Sequence, residues 1–233
     1  GISSFVGLNG GTANAVGFGL QNLEFALAIF SEIGTGSGLR SWLSLQASAD
    51  SSGFSGIDGV TVTATALTVA INRAASDETV VDYSTDSLEV TTGPSSTLSL
   101  DLDGSRGELL EASGNVDIDL FGFFQLDGDF AFSRSEADLP VFANNVTADV
   151  TTDLLTVGAN DVSGFAGIDN GALGRDLDNL DLALIFAVEQ GGDFRQWIAL
   201  NAIADSISFV GFSALTLSAG AANAKLNREA EDG

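Results

Sequence analysis

The sequence predicts an all-β protein of elongated tandem-repeat architecture, with a β-solenoid or bent β-sheet stack favoured and β-sandwich modules as the alternative. Three observations predict it. Apolar and polar residues alternate at a period of two in stretch after stretch, as half-buried strands require. Thr, Ser and Val fill the alternation, and these residues suit a pleated surface. A long block of sequence occurs twice, the mark of a repeat architecture.

The strands follow in order. Leu23, Phe25, Leu27 and Ile29 share one face, as do Leu43, Leu45, Ala47 and Ala49. Val60, Val62, Ala64 and Ala66 come next, and Leu67, Val69 and Ile71 continue on the opposite parity. Leu98, Leu100 and Leu102 form another set. The second copy supplies Leu180, Leu182, Leu184 and Phe186, then Ile198, Leu200 and Ala202, then Leu215 and Leu217. Residues 20–32 and 177–189 also hold Ala, Leu and Glu, which are good helix formers. Clean alternation and flanking glycines favour strand there.

Residues 113–132, SGNVDIDLFGFFQLDGDFAF, keep Val116, Ile118, Leu120, Phe124, Leu126, Phe130 and Phe132 on one parity. Asp117, Asp119, Gln125, Asp127 and Asp129 take the other. A single strand of that length would span about 66 Å, far beyond the usual, so the stretch must bend. A two-residue hairpin at Asp127-Gly128 would set Leu126 against Asp129 and flip the parity. Unbroken parity favours bends at Gly122 and Gly128, an odd-length loop or the corner of a coil, over a plain hairpin meander.

The duplication is explicit. RSWLSLQASAD from Arg40 returns as RQWIALNAIAD from Arg195, an offset of 155 residues that still holds at Asn72-Arg73 against Asn227-Arg228. LQNLEFALAIFSE from Leu20 matches LDNLDLALIFAVE from Leu177 at an offset of 157, and FVGLNGG from Phe5 matches FAGIDNG from Phe165 at 160. The drift places small insertions in loops. Residues 1–77 and 161–233 are thus two partial copies, with residues 78–160 as intervening β modules of the same period. A shorter echo, Phe-x-Gly-apolar, occurs at Phe5, Phe54, Phe165 and Phe209, with a looser form from Phe121. The absence of methionine and the repeat offsets suggest a segment of a longer array.

LDGDFAFSRSE (residues 126–136), IDGVTVTATALTVAINRA (residues 57–74) and DVSGFAGIDNG (residues 161–171) resemble strings that recur in giant, repetitive bacterial surface and secreted β-rich proteins, adhesin-like or filament-like. The resemblance covers most of the chain and carries no catalytic signature. It implies an extracellular or cell-surface, structural or adhesive protein, and no residue role is carried over from it.

Composition excludes several chemistries. Cysteine and histidine are absent, which removes disulfides, Cys- or His-based metal sites and Ser-His-Asp or Cys-His catalysis. With 32 acidic against 8 basic residues the net charge is −24. That field repels nucleic acid and anionic lipid and favours cations. No apolar run reaches the roughly 18 residues of a membrane helix, so no membrane insertion is expected.

Candidate sites follow from the acids and the repeated positions. Asp101, Asp103 and Glu108 lie in an Asp-x-Asp-Gly loop, a calcium candidate because carboxylate oxygens are hard ligands. Arg106 is a poor neighbour for that ion, and a solvated turn explains the same letters. The pairs Asp117/Asp119 and Asp127/Asp129 suit cation binding or acid–base work, but also the wet face of a strand. GTGSG at residues 34–38 is followed by no Gly-Lys-Ser/Thr and reads as a loop. Trp42 and Trp197, each two residues after an arginine (Arg40, Arg195), suit stacking on sugar or on that Arg, or packing in each repeat. Asn72, Arg73, Asn227 and Arg228 end a strand in each copy, where the arginines suit pairing with local acid. Asn145-Val146-Thr147 fits a glycosylation sequon.

The expected function is a structural tandem repeat of a long extracellular protein, forming a stalk, filament or sheath by stacking of β modules on copies of itself. The alternative is an adhesin module that binds carbohydrate, a surface or calcium. No enzyme is expected, and no cofactor beyond Ca2+.

Overall fold

A computed structural model describes residues 1–34, 38–143, 145–168, 173–191, 194–211 and 217–231. The repeated Asp169, Asn170 and Gly171, and Leu215, lie outside the described residues. The chain is all-β. Its strands are β1 (Ile2–Leu8), β2 (Val16–Ser31), β3 (Ser41–Ser55), β4 (Val60–Arg73), β5 (Leu88–Gly93), β6 (Ser96–Leu100), β7 (Leu109–Leu120), β8 (Phe124–Ala143), β9 (Val146–Ile168), β10 (Leu173–Glu189), β11 (Gln196–Val210) and β12 (Leu217–Glu231). A 3₁₀ turn, Gly104–Arg106, precedes β7. Both segments with helix-forming composition are strands, β2 and β10. Among the described residues no helix is long and apolar enough to cross a membrane.

Ten strands form one sheet in the order β1-β2-β3-β4-β7-β8-β9-β10-β11-β12. Every neighbouring pair is antiparallel. The sheet does not close, and β1 and β12 are its edges. β5 and β6 form a separate hairpin.

The strands do follow one another as a meander, and the odd-length loop that the parity allowed is what joins them. Residues 113–132 are two strands, β7 and β8, joined by the loop Phe121-Gly122-Phe123 with Leu120 opposite Phe124. Three residues is an odd number, so Val116, Ile118, Phe130 and Phe132 stay on one face. Phe121 and Gly122 take φ of 55° and 67°, and Asp119 Oδ1 accepts the Gly122 N–H at 2.7 Å. Gly128 is not a turn but faces an irregularity: the register against β9 shifts between Asp127 and Asp129, with Asp161 at φ 53°. It lies inside β8 opposite Val116, where a Cβ would meet Val162 Cγ2 at 2.6 Å. Val162 thus packs on bare backbone and is only 1% exposed.

The parity switch in β4 is a bulge. Ala66 adopts φ 51°, and the register against β7 shifts between Thr65 and Thr68. The extra residue returns Leu67, Val69 and Ile71 to the face of Val60, Val62 and Ala64. Asn22 in β2 and Asn179 in β10, at φ 52° and 53°, lie at matching positions of the two copies, and Ala221 in β12, at φ 48°, matches Ala66. The copies thus share backbone irregularities as well as letters.

The buried cluster lies on one face at the β2–β4 end, and single buried residues such as Val162, Phe165, Ala187 and Ala204 lie elsewhere in the sheet. Ala26 and Ala28 of β2 and Ala70 of β4 are small enough to admit the 74–108 segment, a strap that joins β4 to β7 in the chain and lies over β2 and β3. Leu100 and Ala26 are fully buried there with Ala28, Tyr83 and Leu102, flanked by Phe30, Val81, Val90 and Leu98. The opposite face is also apolar but open: Ile29 is 67% exposed.

Candidate functional site

The repeated Arg–Trp positions build a clamp at the β2–β3 and β10–β11 loops. Arg40 donates through Nε and Nη2 to the two carboxylate oxygens of Glu32, at 3.1 and 3.2 Å. The Glu32 N–H donates to the Arg40 carbonyl at 2.8 Å. The same guanidinium lies 5.1 Å from the Trp42 ring centroid. In the second copy Arg195 donates to Glu189 at 2.8 Å through both Nε and Nη2 and lies 5.3 Å from Trp197. The expected Arg–Trp stacking is present in both copies. The fork-to-fork carboxylate geometry fixes the arginine, which leaves its face for the indole. Glu32 and Glu189 were not among the candidates, although each closes its matched 13-letter block.

The first copy carries a second layer of contacts to the strap. Trp42 Nε1 donates to the Thr79 carbonyl at 2.9 Å. Asn72 Nδ2 donates to the Val81 carbonyl at 2.8 Å, and its Oδ1 accepts from Ser44 Oγ at 3.0 Å. Tyr83 OH donates to Ser44 Oγ at 2.9 Å. Gln46 and Asp101 bond reciprocally, amide to carboxylate at 2.7 Å and backbone N–H to amide oxygen at 2.8 Å. Ser44 and Asn72 are buried. Among the described residues every buried side-chain polar atom has a partner, as a buried network requires. Burial pushes the Tyr83 phenol up, so it stays a neutral donor.

A third pair of sites is set by the bulges. Asn22 Nδ2 donates to Asp50 Oδ2 and Asn179 Nδ2 to Asp205 Oδ2, each at 2.7 Å. The left-handed φ suits asparagine, and each aspartate ends a matched Arg–Trp block.

The other candidates have separate partners. Asp101 holds Gln46, Asp103 Oδ1 accepts the Ser105 N–H at 2.8 Å, and Glu108 Oε2 accepts the Ala74 N–H at 3.0 Å. Among the described residues no three acidic side chains are grouped to hold a metal ion. Asp117 lies opposite Asp127, Asp119 holds Gly122 and Gln125, and Asn115 donates to Asp129 at 3.4 Å. Asn72 points into the strap, whereas Arg73 is exposed beside the 74–108 segment. Asn227 and Arg228 lie exposed on β12. Asn145 adopts φ 61° in the β8–β9 turn.

Several carboxylates are held below their usual range. The Arg40 side chain, by hydrogen bonding, lowers Glu32, Arg195 lowers Glu189 and Arg106 lowers Glu111. The Thr79 hydroxyl lowers Asp77, the Gly104 N–H lowers Asp82 and the Ser105 side chain lowers Asp103. Each has a folded pKa below its unfolded value. Its stabilisation is therefore full above the unfolded pKa and fades as pH falls through the folded one. Urea midpoints are expected to decline from about pH 5 downward. An Arg40→Met/Arg195→Met variant should show a shallower decline; an unchanged acid slope would mean the clamps contribute nothing.

No protein-family model matches the chain, no curated protein matches it, and no solved structure matches it.

Proposed function

We propose that this chain is a structural tandem-repeat segment of a long extracellular protein, and that it extends a stalk, filament or sheath by adding strands to a growing sheet. One observation carries the reading: the repeated block restarts inside a strand. Residues 163–168 of β9 correspond to β1, and they pair with β8 on one side and β10 on the other. One repeat thus hands over to the next by ordinary ladder hydrogen bonds, with no linker. Cysteine-free, strongly acidic composition supports an outside location. Each bulge adds local twist, so a long array of this kind would coil, which is how the coiled architecture expected from the sequence would arise.

The test is length. Six strands, β1 to β4 with β7 and β8, precede the restart. At about 4.8 Å per strand, each added period should lengthen the particle by about 29 Å. Negative-stain images of chains lengthened by one and two whole periods would read this directly. Separate beads in place of one continuous body would sink the proposal. Calorimetry of the same chains with calcium and a glycan panel reads the adhesin alternative, which predicts saturable heat.

A further inference from the structure

The two copies differ in cover: the first wears a strap, and among the described residues no such segment lies over the matching face of the second, where Ala187 is buried but Ala183 is not. Their registers agree rung by rung. Phe30, Trp42, Ser44 and Asn72 are matched by Ala187, Trp197, Ala199 and Asn227. Phe30 pairs with Trp42 and Ser44 with Asn72; Ala187 pairs with Trp197 and Ala199 with Asn227. Under the strap Ala26 is 0% and Asn72 1% exposed. Their counterparts Ala183 and Asn227 are both exposed.

We propose that the β10–β12 face is a docking surface for a second strap, a segment of the 74–108 kind that leaves β12 as residues 74–108 leave β4. This rests on the array reading, in which the following polypeptide supplies it. The occupant's chemistry can be read from what is kept and what is changed. Trp42 and Asn72 bind the carbonyls of Thr79 and Val81, so they read backbone two residues apart. Trp197 and Asn227 retain that ability for any strap in the same register. Ser44, which accepts the Tyr83 hydroxyl, is replaced by Ala199. A tyrosine there would bury an unpartnered hydroxyl, so the second strap carries an apolar residue such as phenylalanine at the position of Tyr83. Gln46 becomes Asn201, an amide one methylene shorter that still offers a donor and an acceptor to a strap residue like Asp101. Ala28 becomes Ile185 and Phe30 becomes Ala187, so bulk shifts one step along β10 and reshapes the seat beneath the strap.

The experiment replaces residues 229–233 of the full chain with a copy of residues 74–108, in two forms: unchanged, and with Tyr83→Phe in the added copy. Trp42→Phe in the parent strand leaves Trp197 as the only tryptophan. Docking should shift Trp197 emission to the blue and slow amide exchange across residues 181–187 and 223–228. The Tyr83→Phe form should be protected about tenfold more than the unchanged one. Asn227→Ala should abolish the protection in both. Exchange in the β7–β8 ladder at residues 116–118 and 126–128, which no strap anchor touches, reports that each variant is folded. Unchanged Trp197 emission and exchange in a folded protein would overturn the proposal, as would equal protection by both forms overturn its assignment of residue preference. If particles lengthen by whole periods but no strap docks, the docking inference fails and the array reading stands. If the strap docks but added periods form beads, the array reading fails.

Discussion

Leu100→Ala is expected to cost about 2–5 kcal/mol, read as a fall in the urea midpoint with the slope preserved. Leu100 ends β6 and is fully buried against Ala26, Ala28 and Tyr83. Truncation loses its transfer free energy and leaves a cavity that the small alanines of β2 cannot fill. The matched control is Leu110→Ala on the other face of the sheet, where the residue is 37% exposed. That change should cost clearly less. Equal effects would mean that the strap adds no core of its own and that the open face is the true interior.

Asn72→Ala should be similarly severe, up to about 6 kcal/mol, because it strips partners from the buried Ser44 hydroxyl and the part-buried Val81 carbonyl at about 1–3 kcal/mol each. The Val81 carbonyl loses its donor and the Ser44 hydroxyl loses its acceptor. The repeat supplies an internal comparison. Asn227→Ala, at the matching position of an uncovered strand, should change the midpoint by less than about 0.5 kcal/mol. A large loss at Asn227 in this chain would show that the residue supports β12 directly and not a strap. The strap amides from residue 79 to 83 should exchange faster in Asn72→Ala while those of β10 and β11 do not.

Much of the sheet was legible in the residues. Alternation located both faces of β2, β3, β4, β10 and β11, and the offsets of 157 and 155 residues aligned rungs that the structure pairs identically. The place of the Ala66 bulge was visible as the change of parity between Ala66 and Leu67 in the apolar series. Its meaning was not, because a parity switch in sequence does not tell a bulge from a strand that changes face. The β7–β8 loop was legible in part: unbroken parity argued for an odd-length loop or a bend at Gly122, and the three-residue turn falls there, where Asp119 holds the Gly122 N–H. That the chain reverses there into a hairpin was not legible, because a coil corner keeps the same parity. The strap site was least legible. Its anchors, Trp42 and Asn72, bind carbonyl groups of Thr79 and Val81, and a carbonyl is the same in every residue. Glu32 and Glu189 were legible in principle as the last matched letters of a repeated block, but an acid at a strand end is common and only the structure shows the arginine closing on it.

The restart of the repeat inside β9 has a mechanical consequence. β1 and β12 are opposite edges of the sheet, so a pull on the two ends of the chain loads the ladders crosswise. Hydrogen bonds then open one after another from an edge, like a peeled seam, and do not share the force along a strand. Each 15-residue strand such as β11 would release about 50 Å of chain when it comes away. Built in long series, such a sheet yields by small steps at modest force, and it has no hinge between repeats at which to fail all at once.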